Sequence, residues 1–292
     1  MPITPYLTLP TGIHGLPKSP WDGVEVQTKE PGDQEQSGYC THNSILFPTW
    51  HRPYLAMIEV SLGYSNLDLP PAYKWQQTIY SRMLDIANDF GSQADRYRQA
   101  AQKFRLPYFD YYRPRSHTTT TFPGITDGQT TSFPYDFSLP QIFTLEKVML
   151  MKPGATALSL EDNPLNYFNF PTSGMIPMSE WDAVVPQASG YSRSRTTRYP
   201  RSQSDLEGDP VAMNSAINQN RESGTVQILN MITDPAYNQW DAFSTDEAGL
   251  TPTSGSLEDI HGNYHVIIGN VPGHMSQVAV AAFDPVFWFH HW

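Results

Sequence analysis

The chain has 292 residues and a net charge of -11, which excludes the broad basic surfaces that nucleic acid and anionic membranes require. Its length allows one large domain or two ordinary ones with a sizeable buried core. No apolar run reaches the roughly 20 residues of a membrane span, and the single cysteine, Cys40, excludes an internal disulfide framework.

The 26 prolines and 19 glycines, against 16% charged residues, point to long ordered loops around that core. Residues 1–5 show neither a basic n-region nor an apolar h-region, so no signal peptide is visible. That favours an intracellular location. Secretion stays open because both ends read as trimmed: Trp292 follows a histidine pair with no helix to carry it.

In chain order, residues 1–40 read as loop, enclosing GIHGLP at 12–17. Cys40-Thr41-His42 follows, and then a helix with Thr49 as N-cap and Leu55, Ile58 and Leu62 at helical spacing. Pro53 is expected in its first turn, where a missing N–H does least harm. A second helical segment spans 72–104, with Ile79, Met83, Ile86, Ala87 and Phe90 on one stripe and Gly91 as a break or kink. Residues 113–140, including His117, read as an irregular Thr- and Pro-rich loop, and 171–209 as a second loop. Helical character returns at 211–218 and 224–232. A last helix carries Leu257, Ile260, Tyr264 and Ile267 on an apolar stripe, with Ser254 or Ser256 as N-cap and Gly269 as its stop. Strands are scarce, so the expected fold is mainly α.

On that last helix His261 and His265 are four residues apart and share a face, because a turn takes 3.6 residues. A third histidine can come from His290-His291. Near the other end, His14, His42 and His51 supply a second trio. Sites built only from imidazole suit copper and zinc and serve magnesium and calcium poorly. A zinc hydrolase of the HExxH kind is disfavoured, because Gly262 stands where that motif places its general-base glutamate.

Five segments carry a specific likeness: GIHGLP (12–17), CTHNSILFPTWHRPY (40–54), RLPYFDY (105–111), LEDIHGNYH (257–265) and AAFDPVFWFHH (281–291). Together they resemble the tyrosinase and polyphenol oxidase family in its fungal form, in the right order over most of the chain. The resemblance implies a single copper domain over 1–292, truncated at its C-terminus and at its N-terminus. The implied fold is a four-helix bundle with long irregular loops and little β. Within it a type 3 pair of copper ions would be held by His14, His42 and His51 on one side and by His261, His265 and His291 on the other. The implied reaction oxidises catechols to o-quinones with O2, with ortho-hydroxylation of monophenols as a further activity. An O2 carrier of the haemocyanin kind and an inactive truncated fragment are the alternatives.

The resemblance also implies a thioether between Cys40 and His42. Phe47 and Phe287, four residues before His51 and His291, are placed to pack on ligand rings, and Asp284 to accept an imidazole or backbone N–H. Glu258 matches a glutamate that holds a water able to take a phenol's proton; otherwise it is an acid in a helix's first turn, favoured by the dipole. Gly262 stands where good monophenol hydroxylases carry Asn or Asp, and the adjacent Asn263 points elsewhere. Strong catechol oxidation with weaker monophenol activity is therefore expected. Ser276, Gln277 and Val278 are expected to border the entrance, with His274 and His290 in supporting or loop positions and His117 facing solvent. A small phenol is the implied partner, with no nucleic acid or membrane; the oligomeric state and natural phenol stay open.

Overall fold

In the computed structural model, residues 11–20, 38–59, 78–113, 137–172, 174–185, 190–247 and 255–292 are described. The expectations for Leu62, His117 and Ser254 fall outside them. A helical turn over 11–14 sets His14, and helix α1 (Phe47–Glu59) follows the Cys40–His42 loop. Thr49 is not its N-cap. The helix begins earlier, led by Ser44, whose Oγ accepts the Leu46 N–H at 3.2 Å, while Thr49 donates to the Leu46 carbonyl. Pro53 consequently lies in the second turn rather than the first. Its ring leaves the Thr49 carbonyl without a helical donor, which is tolerated because both residues are exposed.

Helices α2 (Thr78–Asn88) and α3 (Ala94–Lys103) form a hairpin. Gly91 separates them at φ 55°, a left-handed conformation that costs glycine little. Strands β1 (Lys147–Leu150) and β2 (Ser159–Asp162) pair antiparallel, with Lys147 opposite Asp162. They are the only sheet among the described residues. The expected loop at 171–209 holds one short helix, α4 (Met178–Val184), which buries Trp181 and Val184.

The two expected helical pieces around Gly224 are one helix of 24 residues, α5 (Pro210–Thr233). Asp209 caps it by accepting the Val211 and Ala212 N–H groups. Gly224 does not end it, and a Cβ there would meet the Tyr112 hydroxyl at 2.7 Å. After α6 (Trp240–Ser244) comes α7 (Leu257–Gly269), opened by a capping box between Ser256 and Asp259. It ends at Gly269, although the left-handed residue that turns the chain is Asn270, with φ 49°. Short helices α8 (Val278–Ala281) and α9 (Val286–His290) complete the chain.

One core gathers Tyr54, Leu55 and Met57 of α1, Ile79 of α2, Met213 and Ile217 of α5, and Ile260, Tyr264 and Ile268 of α7. Those four helices make the expected bundle, and α9 adds Val286 and Phe287 to it. A second cluster lies under the long loops, where Leu16, Trp181, Val280 and Phe283 meet Phe168 and Phe170. No described helix is long and apolar enough to cross a membrane.

Candidate metal centre

The turn carrying His14 docks on α8: Leu16 N–H donates to the Ala279 carbonyl at 2.9 Å. Gly15 permits the approach, since a Cβ there would lie 2.2 Å from that oxygen. His51, on the second turn of α1, directs its Nδ1 to the Phe47 carbonyl at 2.8 Å. A carbonyl only accepts, so Nδ1 carries the proton and Nε2 is bare. Cys40 Sγ lies 3.1 Å from that Nε2 and donates to it. The same sulfur is 3.3 Å from His42 Nδ1 and 3.7 Å from its Nε2. It therefore faces the ring edge that carries Cε1, the carbon between the two nitrogens. His14, Cys40, His42 and His51 converge within 4.8 Å of one another.

The second set is built alike. His265 Nδ1 donates to the Met275 carbonyl at 2.6 Å, and His291 Nδ1 to the Phe287 carbonyl at 2.8 Å. Both rings then present bare Nε2 atoms, and these face each other at 3.3 Å. Two lone pairs at that distance repel unless a cation lies between them. His261 stands one turn before His265 with its ring centroid 4.6 Å away. His290 joins this cluster in a supporting place: its ring stacks on His261 at 4.5 Å and its Nδ1 meets the Tyr111 hydroxyl.

The two sets share a wall. The His51 and His291 rings stack at 5.5 Å, and those of His14 and His291 lie 5.8 Å apart. Phe47 packs on His51 at 4.4 Å and on His261 at 5.0 Å, and Phe287 on His291 at 3.7 Å and on His14 at 4.7 Å. Each phenylalanine thus braces both half-sites, as its spacing in the chain predicts for one. A cavity of about 700 Å³, bordered by Phe47, Tyr111 and Tyr264, opens on His51, His261 and His291.

Burial holds the histidines neutral. It lowers His42 and His265 to about 4 and His51 to about 3, and puts His14, His261, His290 and His291 well below their ordinary value. Burial, with the Glu258 charge, raises the Cys40 thiol, so the sulfur stays protonated.

Glu258 is buried and acts as more than a first-turn acid. Its Oε1 accepts the Asn43 N–H at 2.8 Å, beside His42, and its Oε2 accepts from Thr245 Oγ1 at 3.1 Å and from Asp246 N–H at 3.3 Å. Burial raises its carboxyl to about 7. Gly262 has nothing within 4 Å of where a Cβ would sit, and Asn263 is exposed. Asp284 takes a backbone donor, Val286 N–H at 2.9 Å, and Arg198 in place of an imidazole. Ser276 and Gln277 are not free at an entrance: Ser276 Oγ donates to the Gly273 carbonyl, and Gln277 Nε2 to that of Val184. Val278 stays half-buried. The sequence reading missed Arg198, the Met275 carbonyl and the Tyr111–His290 contact. Of these only Tyr111 left a trace, inside RLPYFDY.

Fold and site define a helical bundle that aims paired sets of neutral imidazoles inward. The common central domain of tyrosinase matches residues 9–292, and the chain belongs to the tyrosinase family. It is 34% identical over 290 residues to a tyrosinase of Podospora anserina, covering 96% of this chain and 42% of that protein. A tyrosinase of Neurospora crassa is 32% identical, over 96% of this chain and 36% of that one. A recombinant mushroom tyrosinase structure superposes with a TM-score of 0.69 at 26% identity, over 100% of this chain and 44% of that chain. An Aspergillus oryzae tyrosinase structure gives 0.71 at 25%, over 100% and 70%. The chain thus spans less than half the length of these curated relatives.

The residues fit the family's two copper ions. Both ring nitrogens of His14 and the Nε2 atoms of His261 and His290 are buried without a hydrogen-bond partner, among the described residues. A metal would satisfy the bare nitrogen of His14 and the Nε2 of His261.

Proposed function

We propose that this chain is the copper-binding core of a phenol oxidase that turns catechols into o-quinones with O2. The observation that carries the reading is the pair of bare Nε2 atoms of His265 and His291, which face each other across 3.3 Å. His14, His42 and His51 would hold one ion, and His261, His265 and His291 the other. His291 is preferred over His290 because its Nδ1 is held by the carbonyl four residues back, as that of His51 is. Bound copper supplies a one-electron couple at each ion, so the pair matches the two electrons that a catechol gives up. Four electrons from two catechols reduce one O2 to two waters.

The protein's part is positioning and proton handling. Phe47 and Phe287 lock the rings. Glu258, held at about 7, is poised to take a phenol's proton through a water. Gly262 offers no side chain to orient that water, so monophenol hydroxylation is the weaker activity. The Cys40 sulfur facing Cε1 of His42 supports a thioether, which would fix that ring; closing it removes two hydrogens, a two-electron oxidation for which O2 with bound copper would be the oxidant. One Aspergillus oryzae tyrosinase structure is of a complex with L-tyrosine, in line with a small phenol as substrate. The relatives named above are tyrosinases, and none favours an O2 carrier.

Copper content, the near-ultraviolet absorption of an O2-loaded copper pair, and catechol turnover test the proposal together. Two coppers per chain, the band and quinone formation are expected. Copper well below two ions with no band would overturn it; two coppers with the band and no turnover would leave an O2 carrier.

A further inference from the structure

The loop over 191–199 lies across the second half-site, and the resemblance assigns it nothing. It grips that half-site at three places. At the end of α7, Tyr199 N–H donates to the Gly269 carbonyl at 2.7 Å. On the loop that follows, His274 is fully buried and used on both nitrogens: Thr197 N–H donates to its Nδ1 at 3.0 Å, and its Nε2–H donates to the Ser192 carbonyl at 2.9 Å. At the start of α9, Arg198 Nε lies 2.8 and 2.9 Å from the two oxygens of the buried Asp284. The rest of that guanidinium donates to the Phe143 and Leu165 carbonyls.

Two of these grips lead to ligands. His274 precedes Met275, whose carbonyl fixes the His265 tautomer. Asp284 accepts Val286 N–H and so anchors the first turn of α9, whose Phe287 carbonyl fixes the tautomer of His291. Tyr199 holds a left-handed backbone, φ 52°, which a non-glycine residue adopts only where its surroundings impose it. That turn sends Arg198 inward while Tyr199 N–H reaches α7. His51 and His42 of the first half-site make no hydrogen bond to this loop among the described residues; their contacts are to Phe47 and Cys40.

We infer that Arg198 and His274 are positioning residues of the second half-site, through which the 191–199 strap sets where the Nε2 atoms of His265 and His291 point. The inference rests on the copper reading above. It deepens that reading by making one of two similar half-sites dependent on a distant loop.

The test is an anaerobic titration of the full apo chain with Cu(I) against a competing chelator, in two single-site backgrounds. His42→Ala with Cys40→Ser leaves the second half-site, and His265→Ala leaves the first. In the former background, adding Arg198→Lys or His274→Phe is expected to weaken copper binding about 10- to 100-fold, as outer-shell changes do, with at most about a twofold change in the latter. His274→Asn keeps an acceptor for Thr197 N–H and is expected to lose less, which also serves where the phenylalanine variant does not fold. Equal losses in both backgrounds, or no loss in either, would overturn the inference. Absence of copper binding in both parents would instead sink the two-copper reading, and the strap with it.

Discussion

Gly262 leaves room for a side chain, since a Cβ built there meets nothing within 4 Å. An asparagine therefore enters without steric cost, and as a better helix former than glycine it gains a few tenths of a kcal/mol, roughly. If a water held near Glu258 takes the phenol's proton, Gly262→Asn raises the ratio of monophenol to catechol rates, read from initial rates on a matched pair. An unchanged ratio in a folded, copper-loaded variant would refute that account. Glu258 has a second task that can be separated from the first. Its two oxygens accept three bonds from the His42 loop and the 245–246 segment. In Glu258→Gln one of those donors meets an NH2 group, so the variant is expected to lose about 1–3 kcal/mol, the cost of a buried group left without its partner. Urea unfolding at pH 5 reads this best, because above about 7 the parent also carries a buried charge that the glutamine removes, and that gain would mask the loss. A midpoint equal to the parent's would show that the staple carries no weight.

At the level of elements, α7 sets the site and is also where a cap is most exposed to test. Ser256 Oγ accepts Asp259 N–H at 3.1 Å and Asp259 returns the bond to Ser256 N–H at 2.7 Å. Ser256→Ala is expected to cost about 1 kcal/mol, seen as a lower melting temperature. That helix was legible because its apolar stripe, its cap and its histidines all agree, and α1 was legible for the same reason. The start of α1 was misplaced because Ser44 and Thr49 are equally plausible leaders until the backbone shows which hydroxyl meets which N–H. Helix α4 and the β1–β2 pair are too short for any period to show, and α5 was divided because the polar run 219–223 carries no apolar stripe to join its two halves. Of the site, the six histidines expected as ligands, which the structure gathers into two sets, could be read from motifs. Their anchors at Phe47, Phe287 and Met275 are carbonyl oxygens, which every residue has and no residue type announces. His290 was left in a supporting place by the resemblance alone, and it reaches the cluster beside His291 at the C-terminal end of α9.

For the molecule as a whole, burying so many imidazoles ties stability to pH. His42, His265 and His274 titrate at about 4 in the folded chain, against 6.5 for an unperturbed histidine. Above 6.5 neither folded nor unfolded chain binds these protons, so they leave stability unchanged. As pH falls from 6.5 toward 4 the unfolded chain takes up protons that the folded chain refuses, and the native state loses ground. One fully buried histidine of this kind, His274, accounts for roughly 3 kcal/mol of loss over that interval. The several buried histidines outweigh Glu258, whose raised carboxyl acts in the opposite sense between about 4.5 and 7, so the copper-free protein should show a urea midpoint that drops steeply between about 6.5 and 4. Copper changes the curve in a definite direction. It binds only the neutral rings of the folded chain, so it raises the midpoint near pH 7, and its advantage shrinks as protons compete for the same Nε2 atoms. The two curves converge at acid pH, and the gap between them at pH 7 measures copper affinity independently of any turnover. A copper-free midpoint that stays level down to pH 4 would mean that the imidazoles protonate freely in the folded chain, and that the buried, neutral site described above is not the state in solution.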